Sequence, residues 1–132
     1  VILGGGLVGT ECAIYLDGLG KDVTVLEMKD DWAADAYFMH RNAMKIYIDG
    51  SRIQIRTRTT AKAITEQGVL CAGPDGEVLA EADTILLAAG MKRAAVDAFY
   101  NTAPRVFQVG DCIQTGRVVD AVGMGYSIAL DI

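Results

Sequence analysis

The first eleven residues, a short apolar run followed by closely spaced glycines, restrict the fold of this chain more than any other stretch. Residues 1–3 are typical of the end of a buried strand, and Gly4, Gly6 and Gly9 then give the spacing Gly-x-Gly-x-x-Gly. In this arrangement Gly4 makes the tight turn out of the strand, Gly6 leaves room for a diphosphate, and Gly9 lets a helix pack closely on the strand. The helix start offers free N–H groups and the positive end of its dipole to phosphate. The pattern predicts a pyrophosphate cradle formed by Gly4, Gly5, Gly6, Leu7, Val8 and Gly9.

The residues after the glycines have the order that a dinucleotide site requires. A helix is predicted that ends before Gly20, where a left-handed cap is expected. Its apolar stripe consists of Val8, Cys12, Tyr15, Leu16 and Leu19. Residues 23–26 predict a second strand, and Glu27 follows it, 18 residues past Gly9, where an acidic residue accepts hydrogen bonds from the adenosine ribose. Because a carboxylate repels a 2′-phosphate, Glu27 favours NADH, while Lys29 keeps NADPH open as the alternative.

The middle of the chain predicts a second helix and a third strand. The helix is expected over residues 34–48, with an apolar face that consists of Ala36, Met39, Ala43, Ile46 and Tyr47. His40, the only histidine, is expected to be half exposed, with no partner that could orient it for acid–base chemistry. Ile53 and Ile55 alternate with polar residues, which predicts a strand with one polar side.

The architecture is then expected to change from crossover units to an antiparallel meander. Residues 59–65, 68–72 and 77–82 are short β-prone segments separated by turn residues. The run 84–90 is apolar throughout, which predicts a strand buried on both faces of a parallel sheet. Gly90 ends this run at the edge where open α/β sheets bind ligands, although a glycine that simply starts a loop is the alternative.

The last part of the chain predicts a strand that ends in a glycine and an aspartate. A short helix is expected within residues 91–100, a strand over 105–112 and a final apolar helix over 118–129. Gly110 followed by Asp111 suits hydrogen bonds to a polyol hydroxyl close to the backbone. An aspartate that caps a helix or a turn explains the pair equally well.

Composition limits the class of protein. The chain has 132 residues, 52% of them hydrophobic, so part of its surface is expected to face another part of a larger protein. A net charge of −5 without a basic cluster disfavours nucleic acid as a partner. Three cysteines far apart indicate neither a disulfide framework nor a metal site. Without a signal peptide or an apolar run of roughly 20 residues, a cytoplasmic protein with no membrane partner is expected.

Four ordered signals resemble the flavoprotein pyridine nucleotide–disulfide oxidoreductase superfamily: GGGLVGTE, VTVLE, ADTILLAAG, and RVFQVGDC followed by VVDAVGMGY. The resemblance implies an α/β fold, a Rossmann-like three-layer parallel sheet with an antiparallel β-meander. It implies that residues 1–101 form an NAD(P)H-binding domain. Residues 102–132 would be the returning segment of a split FAD-binding domain whose first half is absent, which makes the chain a fragment of a longer one. Asp111 would then hold the ribitol of FAD.

A finer resemblance is to the NADH:flavin oxidoreductase / 2,4-dienoyl-CoA and 2-enoate reductase group, through GGGLVG-x-E, V-T-V-x-E-M and a helix that begins near Ala33-Ala34-Asp35 and contains Arg41-Asn42. Those enzymes place this module after an Old Yellow Enzyme-type barrel that carries FMN and an iron–sulfur cluster, which are implied for the parent chain only. The resemblance implies hydride transfer from NADH to FAD and reduction of an enoate or enoyl-type substrate by the parent enzyme. By position, Glu27 takes the adenosine ribose and Glu11 lies toward the nicotinamide. No catalytic acid or nucleophile and no metal ligand is expected in this piece.

Other functions remain as alternatives. A pyridine nucleotide–disulfide reductase or an NADH oxidase would keep any redox cysteine pair outside this piece. A regulatory NAD-sensing module also begins with a glycine triplet, although the meander and the Gly-Asp segment disfavour it. A short-chain dehydrogenase is excluded, because no tyrosine has a lysine four residues on. The expected partners are dinucleotides and the missing FAD and barrel domains, and residues 102–132 are expected to pair in a non-native way or to cause self-association.

Overall fold

The computed structural model describes residues 1–94 and 97–132, which divide into two compact units, Val1–Gly90 and Met91–Ile132. The first unit contains β1 (Ile2–Leu3), α1 (Leu7–Gly18), β2 (Thr24–Leu26), α2 (Phe38–Asp49), β3 (Gln54–Arg56), β4 (Thr60–Thr65), β5 (Gly68–Gly73), β6 (Gly76–Glu81) and β7 (Leu86–Leu87). The second contains 3-10 turns at Asp97–Phe99 and Gly110–Cys112, and α3 (Val118–Ala129). The division into domains at residue 101 stays a prediction.

A four-stranded parallel sheet forms the centre of the first unit, in the order β3-β2-β1-β7. Ile2 pairs with Val25, and Leu3 pairs with Leu26. Because successive side chains of a strand point to opposite faces, this register places Ile2 and Val25 on one face and Leu3 and Leu26 on the other. The sheet is therefore apolar on both sides and needs a layer on each.

Helices cover the first face. Ile2 and Val25 are almost completely buried and cluster with Ala13 of α1. Burial of such an aliphatic side chain contributes about 1.5–3 kcal/mol. The predicted helix after the glycines is confirmed, but its predicted stripe is only partly correct, because Val8, Tyr15 and Leu19 are exposed. The side that meets the sheet is made of small residues, Gly9, Thr10 and Ala13, which let the helix backbone lie close to the strands.

The second helix starts later than predicted and turns a different face inward. α2 begins at Phe38, and its buried residue is Met44, with Ile48 packed against the same cluster as Val25. Met39, Ile46 and Tyr47 are exposed, so the predicted apolar face is wrong. Residues 44 and 48 are one helical turn apart and therefore lie on the same side of α2.

The second face of the sheet carries the predicted meander, which is confirmed. β4, β5 and β6 form an antiparallel sheet in chain order, with Val69 opposite Ala80 and Cys71 opposite Val78. Val69 and Cys71 are fully buried and pack with Leu26. The unit thus has three layers, helices, parallel sheet and meander, as the α/β Rossmann-like class predicts.

The strand predicted over 84–90 is present but shorter and more exposed than expected. β7 covers only Leu86–Leu87 and is parallel to β1. Leu87 is 72% exposed, so burial on both faces is wrong for this chain. β7 is the outermost strand in the order β3-β2-β1-β7, and an edge strand has a neighbour on one side only.

The second unit lacks the strand that was predicted over 105–112. Residues 105–109 have no strand pairing among the described residues, and Gly110–Cys112 form a 3-10 turn. That prediction is wrong because a strand exists only when a neighbouring strand accepts its hydrogen bonds. The final helix is confirmed as α3, although none of its residues is buried. The helix predicted within 91–100 is reduced to Asp97–Phe99, and residues 95 and 96 lie outside the described part. None of the described helices has the length and apolar character that crossing a membrane requires.

Candidate functional site

The glycine-rich loop lies where β1, β2 and β7 end at one edge of the sheet. The amide of Gly4 donates to the Leu26 carbonyl over 2.9 Å, and Gly4 has a φ of +107°. A Cβ at Gly4 would lie 2.3 Å from the Ala88 oxygen, and one at Gly9 would lie 1.9 Å from the Gly4 oxygen. Side chains at these two positions would therefore collide with backbone, as predicted for the turn and for the close helix packing.

Glu27 joins the end of β2 to the glycine loop. Its side chain is buried, and its Oε2 accepts a 2.7 Å hydrogen bond from the Gly5 amide. Its Oε1 accepts a 2.8 Å bond from the Lys29 amide. A buried carboxylate is stable only when such donors replace water. The carboxylate is thereby fixed beside the loop, and each oxygen keeps a second acceptor position for a ligand hydroxyl.

The first turn of α1 is capped by a residue from far along the chain. Gly6, the N-cap residue, offers no side-chain bond, and the Leu7 amide instead donates to Asp35 Oδ1 over 2.9 Å. A Cβ placed on Gly6 would lie 3.5 Å from both carboxylate oxygens of Asp35. The amides of Val8 and Gly9 make no hydrogen bond within the described part of the chain. The helix start is thus an anion site that already holds one anionic group.

The segment that carries Asp35 is fastened over the glycine loop. The amide of Ala33 donates to the Gly5 carbonyl over 2.6 Å, and the Ala36 amide donates back to the Ala33 carbonyl over 3.0 Å. Ala33 is buried and has a φ of +44°, which is unusual for a residue with a Cβ. Asp35 belongs to the run Ala33-Ala34-Asp35 that carries the family resemblance, but it was not predicted as a site residue, because nothing in the local pattern indicates that residue 35 returns to the start of the chain.

An arginine on α2 supports the same segment. The Arg41 guanidinium lies 5.2 Å from the centroid of the Trp32 ring, and its Nε donates to the Trp32 carbonyl over 3.1 Å. Arg41 also pairs with Asp31. Through these contacts with Trp32 and Asp31, Arg41 links α2 to the segment that carries Asp35.

The structure gives His40 a partner that the sequence did not predict. His40 Nε2 lies 3.4 Å from Glu11 Oε1, with both side chains about half exposed. The expectation that nothing could orient His40 is therefore wrong. A pair so open to water contributes at most about 1 kcal/mol, so it connects α1 to α2 only weakly.

The remaining predicted site residues lie at the end of the first unit or in the second. Gly90 follows β7, and no atom lies within 4 Å of a Cβ placed on it. In the second unit, Gly110 is buried, and its amide donates to the Met124 sulfur over 3.3 Å. Asp111 Oδ1 accepts a 3.1 Å bond from the Gly116 amide, at an open depression lined in part by Met91 and Thr115. Asp111 therefore acts as a turn aspartate here, with its other oxygen available.

The described residues give little support for a disulfide or for a metal site. Cys71 is buried, while Cys12 and Cys112 are half-buried, and all three are free thiols. No group of three or more His, Cys, Asp or Glu side chains within the described ranges could hold a metal ion.

Comparison with known proteins gives relatives that extend over the whole chain. An NADH oxidase of Thermoanaerobacter brockii is 32% identical over 100% of this chain and 21% of its own length. A cinnamate reductase of Clostridium sporogenes is 26% identical over 100% of this chain and 21% of its own length. The structure of a 2-naphthoyl-CoA reductase bound to 2-naphthoyl-CoA superposes with a TM-score of 0.84 at 28% identity, covering 99% of this chain and 20% of that one. The chain therefore spans about a fifth of the length of these relatives.

The family described as pyridine nucleotide-disulphide oxidoreductase matches residues 1–94, which include the glycine loop, Glu27, the meander and β7. The matched residues therefore include the whole parallel sheet, the glycine turn and Glu27, the buried acid that follows β2. On these grounds the chain belongs to the pyridine nucleotide-disulphide oxidoreductase family.

Proposed function

We propose that the chain is the NAD(P)H-binding module of a flavin-dependent oxidoreductase and that it prefers NADH. The observation that carries this proposal is the placement of the Glu27 carboxylate, buried and held 2.7 Å from the Gly5 amide. NADH and FAD are the cofactors that the family implies.

The residues of the first unit fit a dinucleotide. The amides of Val8 and Gly9 would bind the pyrophosphate, and Glu27 would accept from the adenosine ribose with the acceptor positions that Gly5 and Lys29 leave open. A 2′-phosphate would bring two more negative charges against this buried carboxylate, which disfavours NADPH. Glu11 is assigned to the nicotinamide side by resemblance alone.

When bound, NADH would supply the hydride and FAD would be its acceptor, so the cofactors would provide the chemistry. The contribution of this chain is to bind and to orient. Glu27 and the loop amides hold the adenosine half of the dinucleotide, which leaves the nicotinamide half to be aimed by the residues toward Glu11. Residues 102–132, through Gly110 and Asp111, are proposed to contact FAD. No residue of the chain is assigned a proton transfer.

For the whole protein we propose reduction of an enoate or enoyl-type double bond in the cytoplasm, with FMN and an iron–sulfur cluster in a separate barrel domain. Similarity to a cinnamate reductase and to a 2-naphthoyl-CoA reductase supports this substrate class. Similarity to an NADH oxidase favours oxygen as the alternative electron acceptor. Reduction of a disulfide by the whole protein is a third outcome within the same family.

Titration of the chain with NADH and with NADPH tests the binding function. Trp32 fluorescence and calorimetry report the affinity, and Glu27→Gln should weaken NADH binding at least about tenfold, since a hydrogen bond to a charged group contributes about 1.5–3 kcal/mol. Glu77→Gln, an exposed change of the same kind on β6, is the control and should leave the affinity unchanged. Tighter binding of NADPH than of NADH, or saturable binding of neither, would contradict the proposal.

The proposed substrate class is tested with the whole protein that carries this module. NADH oxidation is followed anaerobically with cinnamate or 2-naphthoyl-CoA as acceptor, and separately in air without either. Acceptor-dependent oxidation supports the enoate proposal. Oxidation that requires only oxygen supports the NADH oxidase alternative.

A further inference from the structure

The carboxylate of Asp35 occupies the space beside Gly6 that the glycine loop keeps open. Both of its oxygens lie 3.5 Å from the position of a Cβ on Gly6, and Oδ1 accepts from the Leu7 amide over 2.9 Å. The proposed function requires a pyrophosphate on the same side of the same residue. Two anionic groups cannot share this volume, because they would collide and repel each other.

The Leu7 amide, which donates to Asp35, is one of the helix-start N–H groups that would otherwise attract a phosphate. An anion at the start of a helix is stabilised by the free N–H groups and by the helix dipole. Asp35 already neutralises this end of α1, and the rest of the first turn offers only the amides of Val8 and Gly9. A dinucleotide that approaches the start of α1 therefore meets a positive dipole end that the Asp35 carboxylate already compensates.

The segment around Asp35, residues 28–36, is called the strap here. It contacts the glycine loop through the Ala33 amide, which donates to the Gly5 carbonyl, and through the Asp35 carboxylate, which accepts from the Leu7 amide. Ala33 has a positive φ of +44°, a conformation that costs an alanine free energy. The earlier part of the strap has other contacts, because the Lys29 carbonyl accepts from the Arg58 amide over 2.8 Å and Arg41 pairs with Asp31, and these contacts do not depend on Asp35.

We propose that Asp35 is an internal competitor of the dinucleotide, which holds the start of α1 in place of a phosphate and must leave before the pyrophosphate binds. This inference rests on the proposed function and deepens it, because it assigns to one side chain the control of dinucleotide affinity. Asp35 then stabilises the ligand-free chain and weakens the binding of NADH. The opposite signs of these two effects distinguish a competitor from a residue that only supports the fold.

The test compares Asp35→Asn with the unmodified chain by calorimetric titration with NADH and, separately, with inorganic pyrophosphate. The asparagine keeps an oxygen for the Leu7 amide but loses the charge. We expect a three- to tenfold lower Kd for NADH, together with a ligand-free Tm that falls by about 2–6 °C. Asp35→Ala, which also removes the hydrogen bond, should show larger changes of the same signs.

Asp30→Asn is the matched control, because it removes the same charge from the same strap at a side chain that is 92% exposed and has only a 4.0 Å contact to Arg58. Its Kd should stay within twofold of that of the unmodified chain. An equal gain in Asp30→Asn would mean that net charge alone sets the affinity, and would overturn the proposal.

The remaining outcomes separate this inference from the proposed function. If the unmodified chain binds NADH and Asp35→Asn binds it equally or more weakly, the competitor role is wrong while the nucleotide site stands. If no variant binds NADH, the proposed function fails. Tighter pyrophosphate binding by Asp35→Asn would then still support competition at the helix start, and unchanged pyrophosphate binding would overturn it.

Discussion

The Gly5 amide donates a 2.7 Å hydrogen bond to the Oε2 of Glu27, which connects the glycine loop to the residue that follows β2. This bond and the one from the Lys29 amide fix the position of a buried side chain. A stability test follows, because glutamine has the same size but only one acceptor oxygen. In Glu27→Gln one of the two amides faces an NH₂ group, so we expect the free energy of unfolding to fall by about 1–3 kcal/mol. Urea denaturation measures it, with exposed Glu66→Gln as a control expected within about 0.5 kcal/mol.

Gly9 should tolerate no side chain. In Gly9→Ala the new Cβ would lie 1.9 Å from the Gly4 oxygen, so α1 must move away from β1. We expect a loss of about 3 kcal/mol in the free energy of unfolding. Gly18→Ala is the matched control in the same helix, since the nearest atom to its Cβ is the Tyr47 oxygen at 3.8 Å. That change should be neutral or stabilising by up to about 1 kcal/mol, and an equal loss in both variants would contradict the packing described.

The inward face of α2 can be tested by two truncations on one helix. Met44 is 4% exposed, and Met44→Ala should cost about 2–4 kcal/mol because it leaves a cavity. Ile46 is 77% exposed, and Ile46→Ala should stay within about 0.5 kcal/mol. Denaturation midpoints of the two variants give the comparison. A larger loss of stability in Ile46→Ala than in Met44→Ala would show that the apolar face predicted from periodicity is correct.

Hydrogen exchange should separate the meander from the segment before Gly110. β5 has a hydrogen-bonded neighbour on each side, whereas residues 105–109 pair with no strand in the described part of the chain. Backbone amides exchange when their hydrogen bonds open, so we expect the amides of 105–107 and 109 to exchange at least about a hundredfold faster than those of β5. Mass spectrometry of peptic fragments measures both in one experiment. Equal protection would show that 105–112 forms a strand after all.

Local pattern was sufficient for the parts of the fold that depend on neighbouring residues. The turn at Gly4, the close packing at Gly9, the acid at Glu27 and the meander all follow from the identity and spacing of residues near one another in the chain. Glycine spacing and an apolar run leave few conformations open. The turn, the close packing and the meander are confirmed because steric exclusion and hydrogen bonding within a short segment determine them, whereas the ligand-binding role of Glu27 stays a prediction.

Predictions that depended on what lies across the layer were less accurate. The predicted apolar faces of α1 and α2 were both misplaced, since side-chain hydropathy does not reveal which face of a helix packs against the sheet. Leu87 was expected to be buried and is exposed, because β7 is an edge strand. Residues 105–109 have strand-like composition but no strand beside them. The residue types of a segment determine its tendency to form a strand or a helix, but a neighbouring element determines whether its side chains are buried.

The sequence by itself determined a glycine turn after β1, an acidic residue after β2 and the layers of the fold, because each is encoded by spacing within a few tens of residues. Only the tertiary structure decided that Asp35 caps α1 and that Glu11 meets His40. The partners of these contacts are 28 and 29 positions apart, and no local propensity specifies which side chain returns to a helix start. Such contacts are fixed by the path of the chain after β2, which depends on the packing of the whole unit.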